Sequence, residues 1–266
     1  MNRPITFLTD YGLEDEFVGV CHAVMARIAP ESRVIDLSHG LPRHDVRSAA
    51  LILRRTLPFC EPGVHLAVVD PGVGGMRRPV ALRTAEEDRI LVGPDNGLLS
   101  LAAQRFGGAT EMVDLSRSPH RLQPVSATFH GRDIFAPVAA ALAAGAPLAA
   151  AGDPLDAGEL VTLEMPLAHQ ESVGELHAHA IAFDRYGNVT LDVEHDELTG
   201  AGLRLGAPVT INGVPAVYAS TFSDVDEGEL LVYQDPYRTL SLAVNRGSAR
   251  DRLALRTDDL VTVRAL

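Results

Sequence analysis

Apolar residues in the first half of the chain follow two alternating patterns. Short, nearly unbroken runs, ITFLTD (5–10), RVIDLS (33–38), VHLAVVD (64–70), RPVALRT (78–84) and DRILVGPD (88–95), read as strands. Between them, residues 16–28 and 45–57 carry apolar positions at helical spacing. The first of these stops before Pro30, and the second opens on Asp45, a residue suited to cap it. Residues 98–106 and 133–144 also read as helical. Strands that are apolar throughout, rather than on every second residue, belong to a largely parallel sheet covered on both faces. In such sheets ligands bind at the loops beyond the C-terminal ends of the strands, where Asp10, Asp70 and Asp95 stand.

Past residue 153 the pattern changes. The stretch 153–174, DPLDAGELVTLEMPLAHQESVG, is polar and irregular and reads as a connecting segment. Beyond it come short strand candidates separated by Gly and Asn turns: ELHAHAIAFD, VTLDVE, PVTING, PAVYASTF, GELLVYQD, TLSLAV and DLVTVRAL. Many short strands in so little chain indicate a small barrel or sandwich. The expected organisation is an α/β N-terminal domain with a mostly parallel sheet (1–155), a linker (156–173) and a smaller all-β, barrel-like C-terminal domain (174–266).

Composition narrows the chemistry. The 35 acidic residues outnumber 23 basic ones, all arginine, for a net charge of −12. Without lysine there is no Schiff base and no Walker-type phosphate loop. The acidic balance argues against a nucleic-acid partner, whose binders carry a basic footprint. No apolar stretch reaches the ~20 residues needed to span a membrane. The start, MNRPITFLTDYG, lacks the basic-then-apolar pattern of a signal peptide. Cys21 and Cys60 fit no C-x-x-C pattern and read as free thiols of a cytoplasmic protein.

Three loops concentrate polar residues. Thr9-Asp10-Tyr11-Gly12 puts a carboxylate at a strand end beside a glycine, which suits hydrogen bonds from a sugar; Asp15, close by, reads equally as a helix cap. In Asp70-Pro71-Gly72-Val73-Gly74-Gly75-Met76-Arg77-Arg78, the glycine-rich loop lets Arg77 fold back onto Asp70, while Arg78 reads as a solvated edge. In SATFHGRD (126–133), His130 stands on a tight turn as a proton acceptor near neutral pH, with Asp133 as the helix cap and Arg132 on the surface. In the second domain FDRYGN (183–188) reads as a hairpin with a type I′-like corner. It reads alternatively as a ligand turn, with Asp184 and Asn188 holding an amine and a carboxylate beside an aromatic ring. Ser220–Asp224 is a second aromatic loop. His177 and His179 share one strand face, but no third ligand lies near them in sequence and no metal site is assigned.

Taken together, LTDYG, DPGVGGMRR, PDNGLL, TFHGRDIF and FDRYGNV resemble the S-adenosylmethionine hydroxide adenosyltransferases, in order and spacing, over nearly the whole chain. These hydrolyse S-adenosylmethionine to adenosine and methionine and are relatives of the fluorinases and chlorinases. The resemblance implies a homotrimer with active sites between one subunit's N-terminal domain and its neighbour's barrel, a small-molecule substrate, and no cofactor. It assigns a water-activating set to Asp70, Arg77 and His130. An arginine-clamped carboxylate is a poor base, so His130 is the expected proton acceptor, with Arg77 orienting. The resemblance gives Asp10 to the ribose diol, Asp15, Asp184 and Asn188 to the methionine end, and Tyr186 and Phe222 to the adenine; Asn96, in PDNGLL, joins the substrate contacts. Asp70, His130 and Gly131 fall on the hydrolase rather than the halogenase side. RPVALRTAEEDRILVG also lacks the long extra loop of fluorinases. In one departure, Pro236 of Asp235-Pro236-Tyr237-Arg238-Thr239 stands where relatives have a serine that helps hold the methionine carboxylate. A halide-using 5′-adenosyl transferase and a non-catalytic adenosine-ligand binding module remain as other readings. The sulfonium leaves as a neutral thioether, so the reaction asks for neither a general acid nor a metal.

Overall fold

The chain runs through Ile5–Thr9 (β1), Phe17–Ile28 (α1), Val34–Ser38 (β2), Val46–Thr56 (α2), Val64–Val68 (β3), Pro79–Thr84 (β4) and Ile90–Pro94 (β5). It continues through Ser100–Arg105 (α3), Ala109–Asp114 (β6), Ala136–Ala143 (α4) and Asp153–Leu155 (β7). This computed structural model describes residues 2–194 and 202–266, which divide into two units at Leu163/Glu164.

In the first unit the seven strands form one sheet in the order β2-β1-β3-β5-β4-β6-β7. The first four are mutually parallel, and β4 and β7 run against the other five. β1, β3 and β5 are buried at every position, as their unbroken apolar runs require. Ile5, Phe7, Val64, Leu66 and Val68 face one layer with α1 and α4, and Leu8, Ala67 and Val69 face the other with α2 and α3. Asp45 does cap α2, accepting the N–H of Ser48 at 2.9 Å. Helix α4 is buried along its whole length, and its alanines let it lie close against α1 and the sheet.

The path of the chain sets the position of the ligand site. From β1 it moves outward to β2, then crosses back to place β3 on the other side of β1. At such a reversal the flanking connections part on opposite faces and leave a crevice beyond the strand ends. Asp10 and Asp70 follow the two strands that flank it.

At the other end of these strands a polar network is sealed inside. His65 is fully buried, with Nδ1 2.9 Å from Thr6 Oγ1, while Arg89 Nη1 donates to its Nε2 at 3.1 Å. Arg89 also donates to the Cys60 carbonyl and to Glu87. Burial and the Arg89 cation lower the His65 pKa to about 3, so the ring is neutral.

The second unit contains His169–Ser172 (β8), Glu175–Phe183 (β9), Val189–Glu194 (β10), Pro208–Ile211 (β11), Val214–Tyr218 (β12), Leu230–Gln234 (β13) and Thr239–Val244 (β14). Ala249–Arg252 (α5) and Leu260–Ala265 (β15) complete it. Seven strands close into a barrel through the β9–β10 pairing, and β8 flanks β9. Leu176, Ala178 and Ala180 of β9 alternate inward to the barrel core.

Strands β6, β7 and β8 fall outside those read from the sequence. β7 and β8 are short edge strands with mostly exposed side chains, so no apolar pattern marks them; pairing with β6 and β9 makes them strands. No helix among the described residues is long and apolar enough to cross a membrane. Cys21 and Cys60 are both free thiols, and burial pushes the Cys21 pKa up to about 12.

Candidate active site

Beyond the ends of β1 and β3 lies a cavity of about 340 Å³ with Asp10, Asp15, Asp70, His130 and Gly131 in its wall. Asp70 is brought to its partner by two successive turns. The Val73 N–H donates to the Asp70 carbonyl (3.2 Å) and the Gly75 N–H to the Gly72 carbonyl (3.0 Å). Gly74 has φ 73°, and a Cβ there would lie closer than 3.0 Å to the Ala127 carbonyl, so glycine is required where this loop meets the segment leading to His130. Arg77 then folds back, as its spacing predicted. Its Nε donates to Asp70 Oδ1 at 2.9 Å and its Nη2 to Oδ2 at 2.5 Å. The same Nη2 donates to His130 Nδ1 at 2.7 Å. Both members of the ion pair are buried, and the guanidinium lies 5.4 Å from the centre of the Phe135 ring.

The hydrogen bond to His130 fixes that ring's tautomer. A guanidinium carries donors only, so Nδ1 accepts and the proton of the neutral ring is on Nε2. Burial, and then the Arg77 cation, lower the His130 pKa below the ordinary histidine value. The expected proton acceptor therefore presents an N–H donor, because its free lone pair is already occupied. Asp70 Oδ1 accepts from Arg77 Nε and keeps a further lone pair.

His130 precedes a π-helical turn, Gly131–Phe135, that leads into α4. Asp133 does not cap a helix. It is buried and accepts the Ser126 N–H (2.8 Å) and the Arg132 Nε–H (2.6 Å), tying down the segment that carries His130. Burial works against its charge, but these bonds outweigh it and hold its pKa below the usual carboxylate value. A second cavity of about 340 Å³ lies along Arg77, Ser116, Arg121 and Ser126, and His130 lines both cavities.

Asp10 Oδ2 accepts the His44 N–H at 2.8 Å, with His44 in the left-handed region at φ 67°. His44 and Arg43 line the first cavity, and the sequence reading missed both. They follow β2, and only the strand order places that loop beside Asp10. Asp15 is not a cap: α1 begins after Glu16 with no side-chain capping bond. Tyr11 also escaped the sequence reading. Its phenol is buried, which raises its pKa well above the ordinary value, with Cys21, Asp10 and Asp70 adding to the shift. A Cβ at Gly131 would fall closer than 3.0 Å to its hydroxyl.

Asn96 stands just past β5, with Nδ2 donating to the Val69 carbonyl (2.9 Å), so its amide fixes the residue before Asp70. Arg78 is not merely a solvated edge. Its Nη2 donates to the buried Asp95 at 2.6 Å and its Nη1 to Glu159 at 2.8 Å. The adjacent arginines thus clamp the ends of two strands.

In the barrel unit, Asp184 accepts the N–H groups of Tyr186 (2.8 Å) and Asn188 (2.9 Å) and the Asn188 side-chain N–H (2.8 Å). Gly187 at φ 78° donates to the Asp184 carbonyl, while Arg185 and Tyr186 keep negative φ. The corner is therefore a type I turn with a left-handed glycine, not a type I′ turn. Tyr186 is 70% and Phe222 41% exposed. Asp235 organises the turn containing Pro236 by accepting from the Tyr237 and Thr239 N–H groups and the Thr239 hydroxyl. His179 pairs with Asp192 and His177 with Glu175. Strand β8 nevertheless brings His169 and Glu171 near His177, supplying neighbours that the sequence did not place there.

A doubly wound sheet with a carboxylate–arginine–histidine set at its switch point, joined to a β-barrel, defines a two-unit α/β enzyme. The chain belongs to the SAM hydroxide adenosyltransferase family, whose N-terminal domain matches residues 5–152 and whose C-terminal domain matches residues 178–262. It is 47% identical over 262 residues to an (R)-S-adenosyl-L-methionine hydrolase of Salinispora arenicola (strain CNS-205), covering 98% of this chain and 97% of the relative. A fluorinase of Actinopolyspora mzabensis is 29% identical over 280 residues, covering 93% and 92%. An uncharacterized conserved protein from Thermotoga maritima superposes with a TM-score of 0.89 at 35% identity, covering 98% of this chain and 99% of that one.

Proposed function

We propose that the chain hydrolyses S-adenosyl-L-methionine to adenosine and L-methionine. Asp70 and His130, both in the wall of the switch-point cavity and joined through Arg77 behind it, carry this reading. A water in that corner donates to Asp70 Oδ1 and accepts from His130 Nε2–H. Its remaining lone pair then faces the ligand. The water oxygen bonds to C5′ as the C5′–S bond breaks, and the bonding electrons leave on sulfur as the neutral thioether of methionine. The 5′-oxygen is then a protonated alcohol, a strong acid, and Asp70 takes its proton. Fixing the water in line supplies up to ~7–11 kcal/mol of the barrier reduction. Because no anion departs, the step needs neither a metal nor an organic cofactor.

Asp10 accepts from the ribose hydroxyls, and Asp15 lies toward the methionine end. Asn96 supports the strand end that carries Asp70. Asp184 and Asn188 hold the amino-acid group, and Tyr186 and Phe222 take the adenine, supplied by a neighbouring copy in a homotrimer. The exposure of these two aromatic rings supports that role. A cytoplasmic location is supported by the two unpaired cysteines. Incubation with S-adenosylmethionine in heavy-oxygen water tests the reading: the label is expected in the 5′-hydroxyl of adenosine. Unlabelled adenosine, or 5′-halogenated adenosine on adding chloride or fluoride, would overturn it.

A further inference from the structure

His22 of α1, Asp36 of β2 and His39 just past β2 converge outside both cavities. His22 Nε2 is 2.9 Å from Asp36 Oδ1, and His39 Nε2 is 3.1 Å from the same oxygen. The three ligand atoms lie within 4.8 Å of one another.

His22 with Asp36 is an ordinary hydrogen bond; His39 is the anomaly. Its side chain is 3% exposed, and its Nε2 makes no hydrogen bond because Asp36 lies off the line that one would need. A buried polar nitrogen without a partner is costly. Its other nitrogen, Nδ1, is 2.8 Å from Thr9 Oγ1. When Nδ1–H donates there, the Nε2 lone pair faces the cleft between His22 and Asp36. Metal-bound histidines are held in this way, the outer nitrogen on a fixed oxygen and the inner one on the ion.

We infer that His22, Asp36 and His39 form a binding site for a divalent transition-metal ion of the zinc class. Two imidazoles and one carboxylate suit zinc, cobalt or nickel and not magnesium or calcium. Zinc bonds of ~2.0–2.2 Å place neighbouring ligand atoms roughly 3.4 Å apart; the two spacings to Asp36 would open by a few tenths of an ångström, and the two imidazole nitrogens already lie within 4.8 Å of each other. His22 and Asp36 are partly exposed, which leaves room for a water as fourth ligand. The site is structural: it joins α1 to β2. Through the Thr9 contact, and through the Gly12 N–H that donates to the His39 carbonyl at 2.8 Å, it also braces the loop carrying Asp10. The exposed His169–Glu171–His177 group holds no such unpartnered buried nitrogen.

The test titrates untagged, chelator-treated protein with zinc chloride by calorimetry and follows thermal unfolding in parallel. One zinc per chain is expected, with a rise in Tm. His22→Ala and Asp36→Asn should each weaken binding beyond the roughly 10–100-fold that loss of an outer partner costs. His169→Ala should leave it intact. Absence of binding, unchanged affinity in both His22→Ala and Asp36→Asn, or loss of binding in His169→Ala would each overturn the site. Neither readout involves turnover, so the result does not depend on the proposed hydrolysis.

Discussion

Arg77 Nη2 and His130 Nδ1 stand 2.7 Å apart, and the guanidinium is necessarily the donor. The histidine is thereby held as an N–H donor toward the cavity, while Asp70 beside it keeps the free lone pair. Within this set of three residues, a single hydrogen bond sets which end of the imidazole carries the proton, and the proposed roles follow from it.

Asp70→Asn removes the acceptor of the water's proton, and turnover should fall about 10²–10⁴-fold with substrate binding little changed. His130→Gln retains a side-chain N–H and should lose at least about tenfold less than Asp70→Asn. Single-turnover assays with binding measured separately make the comparison. Equal losses would return the base role to His130.

The pH dependence follows from the same bond. Protonated His130 would turn an N–H toward the Arg77 N–H, and burial with that cation lowers its pKa below 6.5. The productive neutral form therefore persists as pH falls through the ordinary histidine range. The acid limb of kcat/KM is expected below pH 6.5, and a limb at or above that value would contradict the arrangement.

The proposed sharing of sites between copies predicts complementation. Asp70→Asn and a Tyr186→Ala/Phe222→Ala double variant should each be impaired alone. After subunit exchange in a mixture, random assortment restores about a quarter of the sites. Recovery toward that level supports the homotrimer with shared sites, and a mixture no better than its parts argues for sites completed within one chain.

Acid stability should depend on His65. Its folded pKa of about 3 lies below its ordinary 6.5, so the unfolded chain binds the extra proton between those values. Stability is then complete above pH 6.5 and declines as pH falls toward 3, by about 1.4 kcal/mol per unit at the steepest. Denaturant unfolding at stepped pH should show a shallower slope for His65→Gln. Identical slopes would assign the acid loss to other groups.

The legible parts of the molecule were those that a local pattern records. Continuous apolar runs gave β1, β3 and β5, and the glycine-rich loop gave the return of Arg77 to Asp70. Edge strands such as β8 leave no such trace because their side chains face solvent. Arg43 and His44 reach the cavity only because β2 lies beside β1, which is a matter of strand order rather than of sequence spacing. The direction of the Arg77–His130 bond, and hence the role of the histidine, depends on side-chain placement that no motif encodes.

The close approach of Tyr11 to Gly131 also ties these two positions together. Any side chain at 131 meets the Tyr11 hydroxyl first, so a larger residue there requires the Tyr11 ring to move or be shortened. Gly131→Ala should therefore depress activity in the native background and be tolerated better after Tyr11→Leu, a difference that a four-variant cycle of activity and Tm measures directly. The contact thus couples the two positions, so that the cost of a side chain at 131 is set by the residue at 11.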